Sequence, residues 1–161
     1  MNKIKRLVLV SDSHGHNDTL DLIAMYEDDV CNYDITYVIA GDSEEDANSI
    51  KPFISVRGNM DYYPYPLDLT LSFYNHKVFV YHGHIHRIIP DDVSVICHGH
   101  SHVTKIDNNN GVYDLNPGSI TYPRGNSERG YLEIDFFDDG NININYIKIN
   151  DIIKYFNNKQ G

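Results

Sequence analysis

The sequence predicts an α/β protein with a mixed or two-sheet centre and hairpins in its second half. Three observations carry this. Short runs of Val, Ile and Leu each end in a polar, glycine-containing loop. The first three runs alternate with helical patterning, which argues for parallel strands joined by crossovers. From Leu67 onward, strictly alternating strands and Asn/Gly turns take over, the pattern of antiparallel pairing with one wet face.

Each element follows from its residues. "KRLVLVS" (Lys5 to Ser11) reads as a buried strand ended by a polar loop. In "NDTLDLIAMYED", Asn17 or Asp18 can cap a helix whose face carries Leu20, Ile23 and Ala24. "ITYVIAGD" is a second buried strand, with a short helical piece expected after Ser43, and "PFISVRGN" is a third strand. In "LDLTLSF", Leu67, Leu69, Leu71 and Phe73 share one face; "HKVFVYH" returns after the turn at Asn75, and "DVSVICH" is another buried strand. "VTKIDNNNGVYDLN" reads as a hairpin over an Asn/Gly turn, and "GYLEIDFF" pairs with "INININYIKI" around "DDG". The end, "KYFNNKQG", is expected to fray. With no repeat and no linker, residues 1–161 read as one domain with a tail from about residue 155.

The chain has a formal charge of -10 and pI near 5.2, with 41% hydrophobic and 22% charged residues. Such an acidic surface repels long nucleic acids and anionic membranes, and no basic run offsets it. The apolar run Leu7 to Val10 is too short for a signal-peptide core, and nothing approaches a membrane span. A cytoplasmic, reduced setting is therefore expected, with Cys31 and Cys97 as apolar fillers and not a disulfide. A homo-oligomer is compatible with this composition.

Chemistry concentrates in the loops after the strands. "YHGHIHR" and "CHGHSHV" place six histidines in two short tracts. With "SDSHGH", "AGDSE" and "RGNMD" they supply Asp12, His14, Asp42, Asn59, His82, His100 and His102, each just past an apolar run. Ligands of open α/β sheets bind beyond the carboxyl ends of strands, so these groups can meet at one edge. Oxygen and imidazole donors without thiolate suit Mn, Fe or Zn in expanded geometry better than a closed structural zinc site. Seven donors exceed the needs of one ion and suit two ions sharing a carboxylate.

In order, "DSH", "GD", "GN", "HGH" and "GHSH" resemble the motif series of the calcineurin-like metallophosphoesterases, specifically the small single-domain class III phosphodiesterases. "NPGSITYPR" (Asn116 to Arg124) resembles a loop of that subgroup, so the match runs from Ser11 to Pro123. The resemblance implies a four-layer α/β/β/α sandwich with two mixed sheets. It implies that Asp12, His14 and His102 hold one metal, that Asn59, His82 and His100 hold the other, and that Asp42 bridges them. It implies two divalent ions, Mn2+ foremost with Zn2+, Fe2+ or Ni2+ as alternatives. The expected activity is hydrolysis of a small phosphodiester by a hydroxide activated between the two metals. Two such cations against two carboxylates leave a positive spot that draws a phosphate anion onto an acidic protein. The alternatives are a phosphomonoesterase and a non-catalytic scaffold, since the family includes the retromer's metallophosphoesterase-like subunit.

The sequence departs from the pattern at one position. Many members carry a histidine after "GN" that protonates the leaving group; Met60 stands here, and a thioether donates no proton. Good leaving groups are therefore expected, with Asp61 or a water as the substitute acid. Arg57 and Arg124 lie near site loops, where they can bind substrate phosphate or form surface ion pairs. His16 and His84 can contact substrate or face solvent, while His98 reads as structural and His76 as an exposed turn residue. The tyrosines of "DYYPYPLD" suit a cleft rim, an interface or packing equally. "HGHND" opens like the metallo-β-lactamase motif, but Thr19 stands where its last histidine belongs.

Overall fold

The structure, a computed structural model, describes residues 3–160. In chain order the elements are β1 (Ile4–Val10), α1 (Asn17–Val30), β2 (Asp34–Ile39), β3 (Ile54–Ser55), β4 (Asp68–Phe73), β5 (His76–Tyr81), β6 (Val95–Cys97), β7 (Thr104–Asn109), β8 (Val112–Pro117), β9 (Gly130–Phe137), β10 (Ile142–Lys148) and α2 (Ile149–Gln160). They form two five-stranded mixed sheets, in orders β10-β9-β1-β2-β3 and β4-β5-β6-β8-β7. In the first, β1, β2 and β3 run parallel and β9 runs against β1. In the second, β5, β6 and β8 run parallel, with β4 and β7 antiparallel at the edges. The expected α/β class, the parallel first half and both hairpins are all present.

The period-two side-chain alternation of strands divides the apolar residues between two cores. Leu7 and Leu9 of β1 face the second sheet and pack with Val78, Val80, Cys97 and Leu115. Phe73 stacks on Phe136 across this layer, with ring centres 4.5 Å apart and planes 7° from parallel. Val8 and Val10 face the other way, onto Leu20 and Ile23 of α1 and Ile149 and Ile152 of α2. Both helices therefore cover the first sheet. Over the second sheet the β5–β6 connection, residues 82–94, contains no helix. Arg87 Nε donates to Asp68 Oδ2 at 2.7 Å, anchoring this crossover to β4. The outer layer on that side is irregular because "HGHIHRIIPDD" has glycine, proline and β-branched residues but no helical apolar period.

Several local expectations are corrected. His16, not Asn17 or Asp18, occupies the cap position of α1, and no side-chain cap bond forms. No helix follows Ser43; Asp46 Oδ1 accepts the Ser49 N–H at 2.8 Å and residues 47–52 turn instead. An Asp carboxylate satisfying a nearby amide competes with helical bonding in this way. The end expected to fray is the last turns of α2, because Ile149 and Ile152 are buried and Lys159 Nζ bonds Asp29 Oδ2 of α1 at 2.6 Å. Met1, Asn2 and Gly161, parts of the basic start and of that tail, lie outside the described residues. His76 is no free turn residue: its ring nitrogens contact Ser94 Oγ at 2.8 Å and the Gly140 carbonyl at 2.7 Å. Both cysteines are free, with Cys97 buried and Cys31 half-buried. Among the described residues no helix is long and apolar enough to cross a membrane.

Beneath α1 lies a buried charge cluster that sequence periodicity does not disclose. Arg6 bonds Glu27 at 2.9 Å, Glu133 at 3.0 Å and Asp135 at 2.8 Å. One guanidinium cannot neutralise three carboxylates. Burial, with the Glu27 carboxylate alongside, pushes Glu133 up to about 8. The folded protein thus keeps a proton on Glu133 that the unfolded chain, near its ordinary 4.5, has already released. Stability therefore falls as pH rises from about 4.5 towards 8. Glu133→Gln should flatten that slope and stabilise the protein by about 2–4 kcal/mol above pH 8. Urea midpoints from about pH 5 to pH 9 measure it, and parallel profiles for the two proteins would contradict it.

Candidate metal centre

The parallel strands deliver their following loops to one edge. Asp12 and His14 follow β1, Asp42 follows β2, Asn59 follows β3, His82 follows β5, and His100 and His102 follow β6. Backbone bonds lock neighbouring loops together: Asp12 N–H to the Gly41 carbonyl at 3.0 Å, His14 N–H to the Asp42 carbonyl at 2.9 Å, and Gly99 N–H to the His82 carbonyl at 3.0 Å. The cost appears in the backbone. Asp12, His14, Asp42, Glu44, His100 and His102 have φ of 54°, 47°, 63°, 61°, 71° and 61°. These are six of the eight non-glycine residues with positive φ among those described. Side chains held in this sparsely populated region cluster where a fixed aim matters more than local ease. Close approach also requires Gly58, where an added Cβ would lie 2.0 Å from Asp42 Oδ1 and 2.6 Å from the Asp42 nitrogen.

All seven side chains predicted from the sequence converge. Asp12 Oδ1 lies 3.3 Å from His102 Nε2, 3.8 Å from His14 Nε2 and 3.8 Å from His82 Nε2. His14 Nε2 and His102 Nε2 are 3.4 Å apart. On the other side, His82 Nε2 lies 3.2 Å from Asp42 Oδ2 and 3.0 Å from Asn59 Oδ1, which is itself 3.1 Å from His100 Nδ1. Two groups have metal-ligand spacing, Asp12–His14–His102 and Asp12–Asp42–His82.

A surrounding set of contacts aims these groups. His82 Nδ1 faces the Ala40 carbonyl and His102 Nδ1 the Tyr122 carbonyl, each at 2.7 Å, which turns both Nε2 atoms inward. Asp12 Oδ2 accepts from Ser11 Oγ at 2.6 Å and from the His100 N–H at 3.1 Å. Asp42 Oδ1 accepts the Met60 N–H at 2.8 Å. Asp61 accepts three amides, from Asp42 at 2.9 Å, Glu44 at 2.8 Å and Gly58 at 2.8 Å. It is a brace between two loops, with its oxygens turned to donors, and does not fill the vacant acid position. The "NPGSITYPR" segment braces from the other side: Ser119 Oγ donates to the Asp12 carbonyl at 2.8 Å and Thr121 Oγ1 to the Ser13 carbonyl at 3.0 Å.

Burial, partly offset by the Ser11 hydroxyl and neighbouring histidines, pushes the Asp12 carboxyl up. Burial also acts on Asp42, but His82 and the Met60 amide outweigh it and hold that carboxyl below its usual range. Burial would lower His82; the Asp42 and Asp12 carboxylates overcome it and raise it. His82 Nε2 thus lies against both carboxylates, 3.2 Å from Asp42 Oδ2 and 3.8 Å from Asp12 Oδ1.

The floor opens into a cleft of about 450 Å³ lined by His14, Asp42, Asn59, Met60, His100, His102, Glu44, Tyr122 and Arg124. Arg124 reaches this cleft, whereas Arg57 Nε points to the Asp61 carbonyl at 3.5 Å and lines no part of it. His16 Nε2 meets the Tyr122 hydroxyl at 3.3 Å on the rim. His84 packs its ring 5.3 Å from that of His82, with a buried Nδ1 that has no hydrogen-bond partner among the described residues. His98 bonds Asp114 at 2.6 Å and is structural, as expected. Of the tyrosines in "DYYPYPLD", Tyr65 is buried and packs at 4.7 Å on Tyr63, while Tyr62 is exposed. Glu44 and Tyr122 are site residues that sequence reading misses. Glu44 reads as one acid in an acidic run, and Tyr122 contributes chiefly a carbonyl, which has no sequence signature.

The profile of the Calcineurin-like phosphoesterase superfamily domain matches residues 6–139. The chain belongs to the calcineurin-like phosphoesterase superfamily. It is 30% identical over 147 residues to the probable metallophosphoesterase YsnB of Bacillus subtilis, covering 83% of this chain and 85% of that protein. Among solved structures, a predicted phosphoesterase of Streptococcus pneumoniae superposes with TM-score 0.77 at 25% identity, over 91% of each chain. Vps29 of Entamoeba histolytica, complexed with zinc, shares the fold at TM-score 0.61 and 17% identity, over 89% of this chain and 99% of that one.

The residues present fit the divalent cations that calcineurin-like phosphoesterases bind. Asp12 Oδ1 is buried with no hydrogen-bond partner among the described residues, and it faces ring nitrogens at 3.3 to 3.8 Å. A buried carboxylate oxygen without a donor is costly unless a cation meets it. Gly58→Ala should push Asp42 out of place, costing about 1–3 kcal/mol of stability in the metal-free protein. It should also weaken manganese uptake; an unchanged urea midpoint together with wild-type uptake would show that Asp42 has room to move.

Proposed function

We propose that this protein is a phosphodiesterase that hydrolyses small, activated phosphodiesters with two divalent cations, manganese foremost. Asp12, His14 and His102 would hold one cation, Asn59, His82 and His100 the other, and Asp42 would serve both. The observation that supports it most is Asp12 Oδ1, buried without a donor among the described residues and 3.3 to 3.8 Å from Nε2 of His14, His82 and His102, with Asp42 and Asn59 beside His82 and His100 beside Asn59. When bound, such cations supply Lewis-acid polarisation of phosphoryl oxygens and lower the pKa of a water.

The chain's own residues shape what enters. The cleft is open and of small-molecule size, and Arg124 gives its rim a positive charge able to meet a phosphate oxygen. Where related enzymes place an acid, Met60 forms an exposed part of the wall and Asp61 is committed to three amides. No side chain at that position can protonate a departing alkoxide. General-acid help is typically worth about 10²–10⁴ in rate, so esters with poor leaving groups suffer most. Aryl diesters, whose phenolate departs without needing a proton, are the class this wall admits.

A binding scaffold is the competing reading, since the fold is shared with Vps29. The complete donor set favours catalysis. Bis(p-nitrophenyl) phosphate should be hydrolysed with manganese, lost after chelation and restored on readdition, while glycerol phosphate should be cut far more slowly. Met60→His should raise the rate on alkyl esters by about 10-fold or more and change the aryl diester little. Folded, manganese-loaded protein without turnover would favour the scaffold.

A further inference from the structure

We infer that Glu44 is a positioning residue that makes the Asp12–His14–His102 half of the centre the tighter of its two cation sites. The inference rests on the reading that these side chains hold cations and asks what distinguishes the two halves. Three of the four site histidines turn Nε2 inward and anchor the opposite ring nitrogen. His82 and His102 anchor on backbone carbonyls. His14 alone anchors on a carboxylate, with Nδ1 2.9 Å from Glu44 Oε2. His100 is turned round, presenting Nδ1 to Asn59 Oδ1.

A carboxylate is a stronger acceptor than a carbonyl. It fixes the tautomer with the proton on Nδ1 and leaves the Nε2 lone pair free and oriented to meet a cation. His14 Nε2 then aims its lone pair at the space shared with Asp12 Oδ1 and His102 Nε2. The arrangement is built, not incidental. Glu44 sits at φ 61°, its N–H is held by Asp61 Oδ1 at 2.8 Å, and its side chain remains 35% exposed. Core packing therefore does not account for the strained conformation. The Glu44 carboxylate is spent on His14 Nδ1, while its backbone N–H is spent on Asp61.

Metal-free wild type, Glu44→Ala, Glu44→Gln and His14→Ala, titrated with manganese and followed by the electron paramagnetic resonance of free Mn2+, test this. Wild type should bind two ions with distinct affinities. Glu44→Ala should weaken the tighter class about 10–100-fold, and it should be the class that His14→Ala abolishes. Glu44→Gln should lose less, because its amide oxygen still accepts from Nδ1 as carbonyls do for His82 and His102. Equal urea midpoints for the metal-free proteins would assign the change to the site and not to folding. Unchanged affinities in Glu44→Ala, or a loss confined to the class that survives His14→Ala, would overturn the role of Glu44 alone. A wild type that binds fewer than two ions would overturn the two-cation reading with it.

Discussion

A buried carboxylate oxygen with no donor, Asp12 Oδ1, is the constraint on which the rest of the site depends. Asp12 and Asp42 end adjacent parallel strands, so the topology brings two negative charges together out of water. Imidazoles and one amide surround them, and among the described residues no lysine or arginine forms an ion pair with either carboxylate. In a region of reduced dielectric that arrangement is costly by itself and becomes favourable only around a cation. The left-handed backbone of six site residues adds to the cost. The parallel strands and the braces at Asp61 and Ser119 keep such loops in place, because a well-packed scaffold can over-determine strained residues.

The Arg6 cluster on the far side of β1 gives a useful contrast. There the chain also buries carboxylates, but it provides its own guanidinium and tyrosine hydroxyls, and every partner is in hydrogen-bond contact. One strand thus carries two solutions to buried negative charge. The internal one rigidifies the helix–sheet layer, and the other leaves room for ions from solution. Glu133 marks the limit of the first, since one arginine is too little positive charge for three acids.

The same geometry links site to substrate class. Acid, imidazole and amide side chains form the floor of the cleft, and Met60 forms part of its wall. Met60 keeps its amide on Asp42 while its side chain offers only apolar surface to the cleft. One residue therefore fixes the Asp42 carboxylate through its backbone and, under the proposed function, narrows the departing esters through its apolar side chain. Arg124 and Tyr122, both from the segment that braces β1, form the opposing rim.

Much of this was legible in one dimension. Strand alternation pointed to a mixed or two-sheet centre, because residues of period two must choose a face, and the family resemblance implied two sheets. The order Asp-x-His, Gly-Asp, Gly-Asn, His-Gly-His and Gly-His-x-His, by its resemblance to the family series, pointed to the seven side chains, and donors placed just past strand ends have one edge on which to meet. Tertiary structure decided the rest. It made α2 a helix where polar residues suggested a frayed end, since Ile149 and Ile152 find a sheet to cover. It removed the helix expected after Ser43, where an aspartate turn satisfied the backbone first. It recruited Asp61 as a brace and set Glu44 behind His14. Those roles are hydrogen bonds between residues far apart in the chain, fixed by backbone angles that no local pattern of residue types encodes.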